Sequence, residues 1–495
     1  MLRIPDRAQI STLRDFLLQA GYQSSQLKGE LGLKDTLHTN LDNLPPLLER
    51  TAADATLPTL SRLFFVGWPT SVERCRKYIP DDILHLCLDA GVLLHEDNEF
   101  APSVVITPFE NTLLFASDAP RHRADNPNVV LGPSGTTRLF TRAMLRTHRD
   151  SLLDIGTGSG VLSIAAAAFS ERVLGTDVNE RAIEFARFNA ALNGVNNVEF
   201  AAGDALAPAE GRQFSQILAN PPFFLTANKR FVYSDSPLEL DGFTRKLAME
   251  APRYLEDGGI FQMICEWVQI EGQPWEERLR GWTAGSGCDV FVLLGPKVNP
   301  LDYAEWRFQE AVSLYAGQTS HLMAERLNYL REHRVEYVLS GVITMHKRKG
   351  SNWFVSTAAD LTHENCGPAI RERMESLTLL AEQKEEDWLK SKLRVAPDAV
   401  IMQAQALGEN GWAVTRVEVS KPNFISTELN VDLPVLRTIE MFDGRHTLSD
   451  IINKMQAAFS LSYEEAKARG LALAKRLVQS SFVLPAILQE RSGQE

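Results

Sequence analysis

The sequence predicts an α/β fold built on a mostly parallel sheet, and three observations support this prediction. Short apolar segments typical of buried strands alternate with helical segments between residues 152 and 223. A glycine-rich stretch at 156–160 follows the first apolar segment, and acidic residues stand at the ends of successive strands. A proline-containing turn at 220–223 closes the alternation. Together these features indicate a ligand site where the strands end.

The first element is a short strand followed by a glycine loop. Residues 152–155 are long enough for a buried strand, and residues 161–169 continue as an apolar helix. Gly156, Gly158 and Gly160 lie between them. Glycine lets the backbone turn sharply and approach a ligand, and the helix N-terminus offers unpaired N–H groups. The spacing lacks the third glycine of the dinucleotide-binding fingerprint. The alternative is a tight turn without a ligand.

The second signal is an acidic residue near the end of each of three strands. Asp154 lies in the first strand and could meet a cationic amino-acid group, which a dinucleotide lacks. Asp177 ends the strand 172–176, and a carboxylate there can bind both ribose hydroxyls. Asp204 follows a third strand and suits an adenine amine. One such aspartate is more often a cap or turn residue, but three in succession favour a nucleoside cofactor.

These residues together resemble the class I S-adenosylmethionine-dependent methyltransferases, and the resemblance covers roughly residues 128–349. It implies a Rossmann-like seven-stranded methyltransferase core that binds S-adenosyl-L-methionine. The glycines would cradle the amino-acid end of the cofactor, Asp177 would hold the ribose, and Asp204 would lie near the adenine. The predicted cofactor-binding residues are Asp154, Gly156, Thr157, Gly158, Ser159, Gly160, Asp177, Asn179, Asp204 and Asn220.

The turn Asn220, Pro221, Pro222 and Phe223 is the predicted catalytic element. A conjugated amino or amide nitrogen is a poor nucleophile. If a side-chain amide oxygen and a backbone carbonyl accept its two N–H bonds, its lone pair is freed to attack a methyl group. The prolines fix φ and remove two donors, and Phe223 can stack on a planar acceptor. The alternative is a rigid turn with no chemical role. In related methyltransferases this tetrapeptide accompanies nucleobase exocyclic nitrogens or glutamine amides.

Composition limits the remaining possibilities. The 495 residues suggest about three domains at ~150 residues each, and the 44% hydrophobic share is ordinary for a globular protein. The net charge of −12 argues against general nucleic-acid coating, though not against a local basic groove. The five cysteines are scattered and form no metal-binding pattern. No secretory leader and no apolar run of about 18 residues is visible, so we predict a cytoplasmic protein without a membrane segment.

Two smaller domains are predicted beside the core. Residues 1–118 combine helices with a hairpin, which resembles a winged helix, and their negative charge favours a scaffold or protein contact over DNA. A helical insertion at about 300–331 would form one wall of the substrate pocket. Residues 395–495 faintly resemble small peptide-binding winged-helix domains of peptide-modification pathways, which add an extended segment as a strand. A packing or dimerisation domain is an equally good interpretation of this last region.

The predicted activity is methyl transfer from S-adenosylmethionine to nitrogen. The layout resembles ribosomal-RNA guanine-N2 enzymes, so an exocyclic amino group of a nucleobase, in RNA, is the first predicted acceptor. A protein glutamine or asparagine amide, as on release-factor glutamine, is the second, and the acidic balance and the C-terminal resemblance favour it. A non-catalytic regulator that only senses the cofactor is a third possibility. A pure binder would have no need of the amide-orienting turn.

Overall fold

A computed structural model describes the chain apart from residues 1, 5, 34–43, 111, 124–125, 312–318, 363–365, 409–410, 422–424, 426 and 486–495. It divides into two compact units. The first comprises Met1–Thr141, Arg146–Cys288 and Leu294–Arg348. The second comprises Arg142–Leu145, Asp289–Leu293 and Lys349–Glu495. Apart from residues 142–145, 289–293 and 349, the predicted N-terminal and central domains therefore both fall within the first unit, and the boundary at residue 118 stays a prediction.

The first unit contains most of the strands. They are β1 Thr70–Ser71, β2 Leu93–Glu96, β3 Glu99–Pro102, β4 Val104–Phe109, β5 Leu113–Asp118, β6 Arg149–Ile155, β7 Ser170–Asp177, β8 Val198–Ala202, β9 Phe214–Ala219, β10 Leu255–Ile270, β11 Cys288–Val298 and β12 Val335–Lys347. Residues 289–293 of β11 belong to the second unit. The large sheet includes the run β11-β12-β10-β9-β6-β7-β8. Strands β10, β9, β6, β7 and β8 run parallel, and β12 pairs antiparallel with β10. This mostly parallel sheet confirms the predicted Rossmann-like α/β class.

Helices connect these strands. They are α1 Arg7–Gln19, α2 Ser24–Leu31, α3 Leu44–Arg50, α4 Thr56–Leu60, α5 Val72–Tyr78, α6 Asp81–Asp89, α7 Gly135–Ala143, α8 Val161–Ala166, α9 Glu180–Leu192, α10 Gly242–Glu250, α11 Trp275–Thr283, α12 Pro300–Ala311 and α13 Thr319–Glu332. Helix α9 begins where the Asn179 side chain accepts the Arg181 N–H, an ordinary N-cap. The predicted insertion is thus two helices, α12 and α13, and residues 312–318 between them lie outside the described part.

The N-terminal helices share one hydrophobic core with α9. Ile10, Leu13 and Leu17 of α1 are buried in the same cluster as Phe185 and Phe188 of α9. This apolar core is the reason the predicted N-terminal module and the sheet fall within one unit.

Residues 99–109 form two strands, β3 and β4. Pro102 ends β3 because it has no N–H to continue the ladder, and the chain resumes as β4 after Ser103. Strand β4 pairs with β5 in a hairpin that the sequence analysis missed. Two buried asparagines, one in α9 and one at its C-cap, bond the free edge of β5. The Asn189 side-chain amide bonds the N–H and the carbonyl of Ala116, and the Asn193 amide bonds the N–H and the carbonyl of Leu114.

The second unit contains the remaining elements. They are β13 Phe354–Ala358, α14 Gly367–Glu382, α15 Glu385–Lys390, β14 Lys392–Val395, β15 Val400–Gly408, β16 Gly411–Lys421, β17 Thr427–Val431, α16 Leu433–Ile439, β18 Asp443–Thr447, α17 Leu448–Phe459, α18 Tyr463–Gln479 and β19 Val483–Pro485. Two small sheets have the orders β18-β14-β19 and β15-β16-β17. Capping boxes begin α17 and α18. The winged-helix description of both ends of the chain stays a prediction. None of the helices in the described ranges is long and apolar enough to span a membrane.

Candidate active site

The site lies along the carboxyl edge of four adjacent parallel strands, β9, β6, β7 and β8. Ile155 of β6 stands opposite Ala219 of β9 and Thr176 of β7, and Asp177 stands opposite Ala202 of β8. The segments that follow these strands therefore begin side by side. The strand order reverses between β6 and β9, and ligands of open α/β sheets bind at such a point.

The glycine loop follows β6 and has a left-handed backbone at each glycine. The φ angles are +72° at Gly156, +55° at Gly158 and +86° at Gly160. A Cβ on Gly160 would come within 3.2 Å of Ala186 in α9, so this glycine allows close helix packing. A Cβ on Gly158 would meet no described atom within 4 Å. The loop thus presents open space at Gly158, as a ligand cradle requires.

Neighbouring side chains fix the shape of this loop. The N–H groups of Gly156 and Thr157 both donate to the Thr176 carbonyl at 2.8 Å, which ties the loop to β7. The Ser159 hydroxyl donates to the Leu131 carbonyl at 2.8 Å, and the Ser159 carbonyl accepts from Asn189 at 2.9 Å. Thr157 and Ser159 therefore hold the loop through contacts within the protein.

Asp154 is completely buried beneath the loop. Its Oδ2 accepts bonds from the Thr157 hydroxyl at 2.8 Å and from the N–H and hydroxyl of Ser163 at 3.0 and 2.7 Å. Its Oδ1 has no hydrogen-bond partner among the described residues. Burial raises the pKa of Asp154 to about 6, because desolvation outweighs the bonds from Ser163 and Thr157. An unpartnered buried carboxylate oxygen suits a positively charged ligand group.

Asp177 closes the gap between β7 and the glycine loop. Its Oδ2 accepts the Gly158 N–H at 2.8 Å, and its Oδ1 accepts the Asn179 N–H at 2.9 Å. Desolvation raises the pKa of this carboxyl above its usual value, against the opposing effect of the backbone bonds. A carboxylate can accept about four hydrogen bonds, so Asp177 keeps capacity to accept a ligand hydroxyl beside its backbone donors.

Asn179 and Asp204 occupy less obvious positions. The Asn179 side chain caps α9 and donates to the Asn128 carbonyl at 3.2 Å, so both ends of its amide are engaged within the protein. The Asp204 side chain is 73% exposed and lies 3.8 Å from Lys246. Gly203 just before it donates to the Asp177 carbonyl at 2.9 Å, which joins the ends of β7 and β8. Their roles toward a cofactor stay predictions.

The proline turn starts directly after β9. A Cβ on Gly156 would be 3.9 Å from the Asn220 carbonyl oxygen, so the turn adjoins the glycine loop. The Asn220 side-chain NH₂ lies 3.4 Å from the Thr137 hydroxyl. Pro221 is buried and Pro222 half-buried. The structure thus brings the predicted cofactor loop and the predicted catalytic turn together.

Phe223 is only 8% exposed, and Phe224 beside it is half-buried. Their rings lie 5.6 Å apart in a tilted arrangement. The sequence analysis missed Phe224 and three buried polar residues behind it, Glu266, Tyr303 and Arg307. The signal that could have found them is a glutamate in the middle of an apolar strand, and Tyr303 and Arg307 four residues apart on one helix.

Comparisons with known proteins agree with this geometry. The family model "Methyltransferase small domain" matches residues 134–270. A putative protein N5-glutamine methyltransferase of Methanocaldococcus jannaschii is 30% identical over 142 residues, which are 27% of this chain and 71% of that protein. The release factor glutamine methyltransferase of Deinococcus radiodurans is 34% identical over 30% of this chain and 56% of its own length. The ribosomal protein L11 methyltransferase of Lactobacillus gasseri is 38% identical over 25% of this chain and 40% of its own length.

The chain spans about half the length of the release factor relatives it matches, such as 54% for that of Xylella fastidiosa. Among solved structures, M. jannaschii TYW2 in complex with AdoMet matches with a TM-score of 0.30 and 16% identity, over 50% of this chain and 87% of that one. Trm5b of Pyrococcus abyssi has a TM-score of 0.29 and 19% identity, over 51% of this chain and 62% of that one. The family assignment depends on the sequence matches.

The fold and the site define a Rossmann-like α/β protein. Its glycine loop lies at the carboxyl edge of the sheet, beside the turn that begins at Asn220. The chain belongs to the class I S-adenosylmethionine-dependent methyltransferases, with a methyltransferase small domain. The resemblance drawn from the sequence is therefore confirmed, as are the enzyme class and the methyl donor, S-adenosyl-L-methionine. The residues present fit that cofactor: Gly158 borders open space, and Asp154 carries an unpartnered buried oxygen.

Proposed function

We propose that this chain methylates the side-chain amide nitrogen of a glutamine in a protein substrate. The observation that carries the proposal is the position of Asn220, at the end of β9 and beside Gly156 of the cofactor loop. An amide acceptor held by this turn would have its nitrogen close to the transferred methyl group. The names of the relatives, which specify protein glutamine or a ribosomal protein, support a protein acceptor.

The turn would act by orientation and electrostatics. The Asn220 Oδ1 and the Pro221 carbonyl accept the two N–H bonds of the acceptor amide, which draws its nitrogen out of conjugation. The bound cofactor supplies an electrophilic methyl group on a sulfonium. In this transfer the acceptor nitrogen would gain an N–C bond while the S–C bond breaks, and it would then release one proton to water. Neither Pro221 nor Pro222 has an N–H, so the turn presents carbonyl oxygens to the acceptor without competing donors.

The cofactor end of the proposal assigns a role to each acidic residue. Asp177 accepts the ribose hydroxyls, and Asp154 faces the positive amino-acid end of the cofactor through its unpartnered oxygen. Asp204 remains the proposed neighbour of the adenine. These roles follow from the sequence pattern and the shared edge of the sheet.

RNA was the first acceptor predicted from the sequence, and the relatives now favour the second. Their names specify a release factor, a protein glutamine or a ribosomal protein. The net charge of −12 points the same way, because RNA binding is dominated by phosphate contacts to basic residues. We therefore retain RNA only as a possible outcome of the test below.

The acceptor class is tested with radiolabelled S-adenosylmethionine and an extract of cells that lack this chain. We expect label in macromolecules that resist RNase and are destroyed by protease. The matched control is the Asn220→Ala protein, which should transfer no label from the same cofactor. Label that RNase removes and protease leaves would replace the glutamine proposal by the RNA one.

The pH dependence of cofactor binding tests the Asp154 role. Only the ionised carboxylate attracts a positive charge, so affinity should rise with pH up to about 6 and then level off. One pH unit below that pKa, we expect roughly a tenfold loss of affinity. Calorimetric titrations in buffers on both sides of the pKa measure this profile. The Asp154→Asn protein should bind weakly with a flatter profile; a native profile unchanged by acid contradicts the assignment.

A further inference from the structure

The segment 220–240, which we call the acceptor loop, begins with the proline turn and is held by the helical insertion. Helices α12 and α13 contact it at three points. Tyr303 of α12 accepts the Leu225 N–H at 3.1 Å, and Tyr329 of α13 accepts the Leu240 N–H at 2.9 Å. Asn228 between them donates to Glu325 of α13. The backbone is thus fixed by tyrosine hydroxyls near both ends of the loop.

The anchor next to the proline turn is part of a buried polar network. The Tyr303 hydroxyl donates to Glu266 Oε2 at 2.6 Å, and Arg307, one helical turn further along α12, pairs with Glu266 Oε1. Tyr303 is fully buried, and Glu266 and Arg307 are 1% and 4% exposed. Burial, with the Glu266 charge beside it, raises the pKa of Tyr303. The hydroxyl therefore keeps its proton for Glu266 and offers a lone pair to Leu225.

Arg307 connects the same network to the aromatic side of the turn. Its guanidinium carbon lies 3.9 Å from the centre of the Phe224 ring and 5.9 Å from that of Phe223. A cation over an aromatic face is attracted by the ring's negative face, more strongly when water is excluded. The network thus holds both the backbone at Leu225 and the ring at Phe224, directly after the residues that would orient the acceptor.

Stability alone is a weak reason for such a network. A buried ion pair is often no more stabilising than an apolar set of similar volume, because both charges lose their hydration. The pair does orient its neighbours, because the Glu266 carboxylate bonds both the Tyr303 hydroxyl and the Arg307 guanidinium. The network reaches the acceptor loop at two adjacent points, the Leu225 N–H and the Phe224 ring.

We propose that the helical insertion is a positioning frame for the acceptor loop, in which Tyr303 and its partners Glu266 and Arg307 set the placement of the proline turn. Tyr303 is a positioning residue: it acts through Leu225 and touches neither cofactor nor acceptor. This inference rests on the proposed function in so far as the turn holds the acceptor nitrogen. The frame itself is a property of the chain and is measurable without an acceptor.

The test compares Tyr303→Phe with Tyr22→Phe. Both remove one buried tyrosine hydroxyl that bonds a backbone group, but Tyr22 donates to the Ile106 carbonyl in the N-terminal core. Hydrogen exchange followed by mass spectrometry should show roughly tenfold faster exchange of the Leu225 N–H in Tyr303→Phe. In Tyr22→Phe the Leu225 N–H should exchange at the native rate. Tyr329→Phe should do the same at Leu240 and leave Leu225 protected, which shows that each anchor acts locally.

Activity gives the second measurement. With labelled S-adenosylmethionine and the extract that supports the native chain, Tyr303→Phe should lower kcat by about 10- to 100-fold, because small misplacement of a reacting group is costly. The cofactor Kd should stay within about twofold, since the cofactor edge is untouched. Tyr22→Phe should retain native kcat. A Tyr303→Phe protein whose Leu225 exchange and kcat both match those of Tyr22→Phe would overturn the proposal.

The two measurements separate this inference from the proposed function. If the labelled acceptor turns out to be RNA, the glutamine proposal fails, while faster exchange at Leu225 with reduced kcat still supports the frame. If protein is labelled but Tyr303→Phe behaves as the control, the frame fails and the glutamine proposal stands.

Discussion

Replacing Asn220 by alanine is expected to lower kcat by about 10³-fold, the loss seen when one preorganised polar group is removed from a reacting centre. The side chain would accept one of the two N–H bonds that localise the lone pair of the acceptor, and alanine offers no acceptor. The cofactor Kd should change little, because the glycine loop is fixed mainly by the carbonyls of Thr176 in β7 and of Leu131 rather than by this side chain.

The measurement is single-turnover methyl transfer alongside calorimetry of cofactor binding. Asn196→Ala is a matched control, because this asparagine is exposed in the turn after α9, away from the proline turn. It should keep native kcat and Kd. An Asn220→Ala protein that transfers methyl groups at the native rate would remove the catalytic assignment, and one that loses cofactor binding would move Asn220 to the cofactor side.

Replacing Asp177 by alanine is expected to weaken S-adenosylmethionine binding by about 100-fold, since hydrogen bonds to a charged group contribute about 1.5–3 kcal/mol each. Two effects combine here. The ribose hydroxyls lose their acceptor, and the Gly158 N–H loses the carboxylate that holds the loop closed at 2.8 Å. Asp177→Asn keeps the size and one acceptor oxygen, so an intermediate loss is expected.

Calorimetry with the cofactor measures both variants. Asp150→Ala is the control, because this aspartate is 72% exposed near the start of β6, at the opposite edge of the sheet from the glycine loop. It should bind as the native chain does. Native affinity in Asp177→Ala would remove the ribose assignment. The carboxylate would then only hold the glycine loop through the Gly158 N–H.

The central sheet could be predicted from the sequence because its signals are local. Apolar runs, glycine spacing and terminal aspartates each lie within a few residues, and parallel strands bring successive ends to one edge. The first residues of α17 and α18 could be predicted for a similar reason. Their capping boxes place Thr447 with Asp450 and Ser462 with Glu465, three residues apart.

What could not be predicted depends on distant pairing and on side-chain direction. Leu225 and Tyr303 are 78 positions apart, so nothing local to either indicates their bond. The hairpin of β4 and β5 depends on the amides of Asn189 and Asn193, which lie more than 70 positions further along. Asp204 has the expected place at a strand end, but its side chain turns to solvent and Lys246, which spacing alone does not show.

The acceptor preference was beyond the sequence for a chemical reason. A nucleobase amine and a glutamine amide both offer a conjugated nitrogen with two N–H bonds, so one turn serves either. The acceptor is selected instead by surfaces outside the turn. The helical insertion, which the sequence predicts to form one wall of the substrate pocket, contacts the acceptor loop through Leu225, Asn228 and Leu240.

The central claim is that a single edge of the sheet holds the cofactor and presents the acceptor nitrogen to it. A crystal structure of the chain with bound S-adenosylhomocysteine tests this most directly. The account predicts ribose hydroxyls within hydrogen-bonding distance of Asp177, the amino group near Asp154, and the sulfur facing the Asn220 side chain and the Pro221 carbonyl. A cofactor bound elsewhere, or a sulfur turned away from the proline turn, would contradict it.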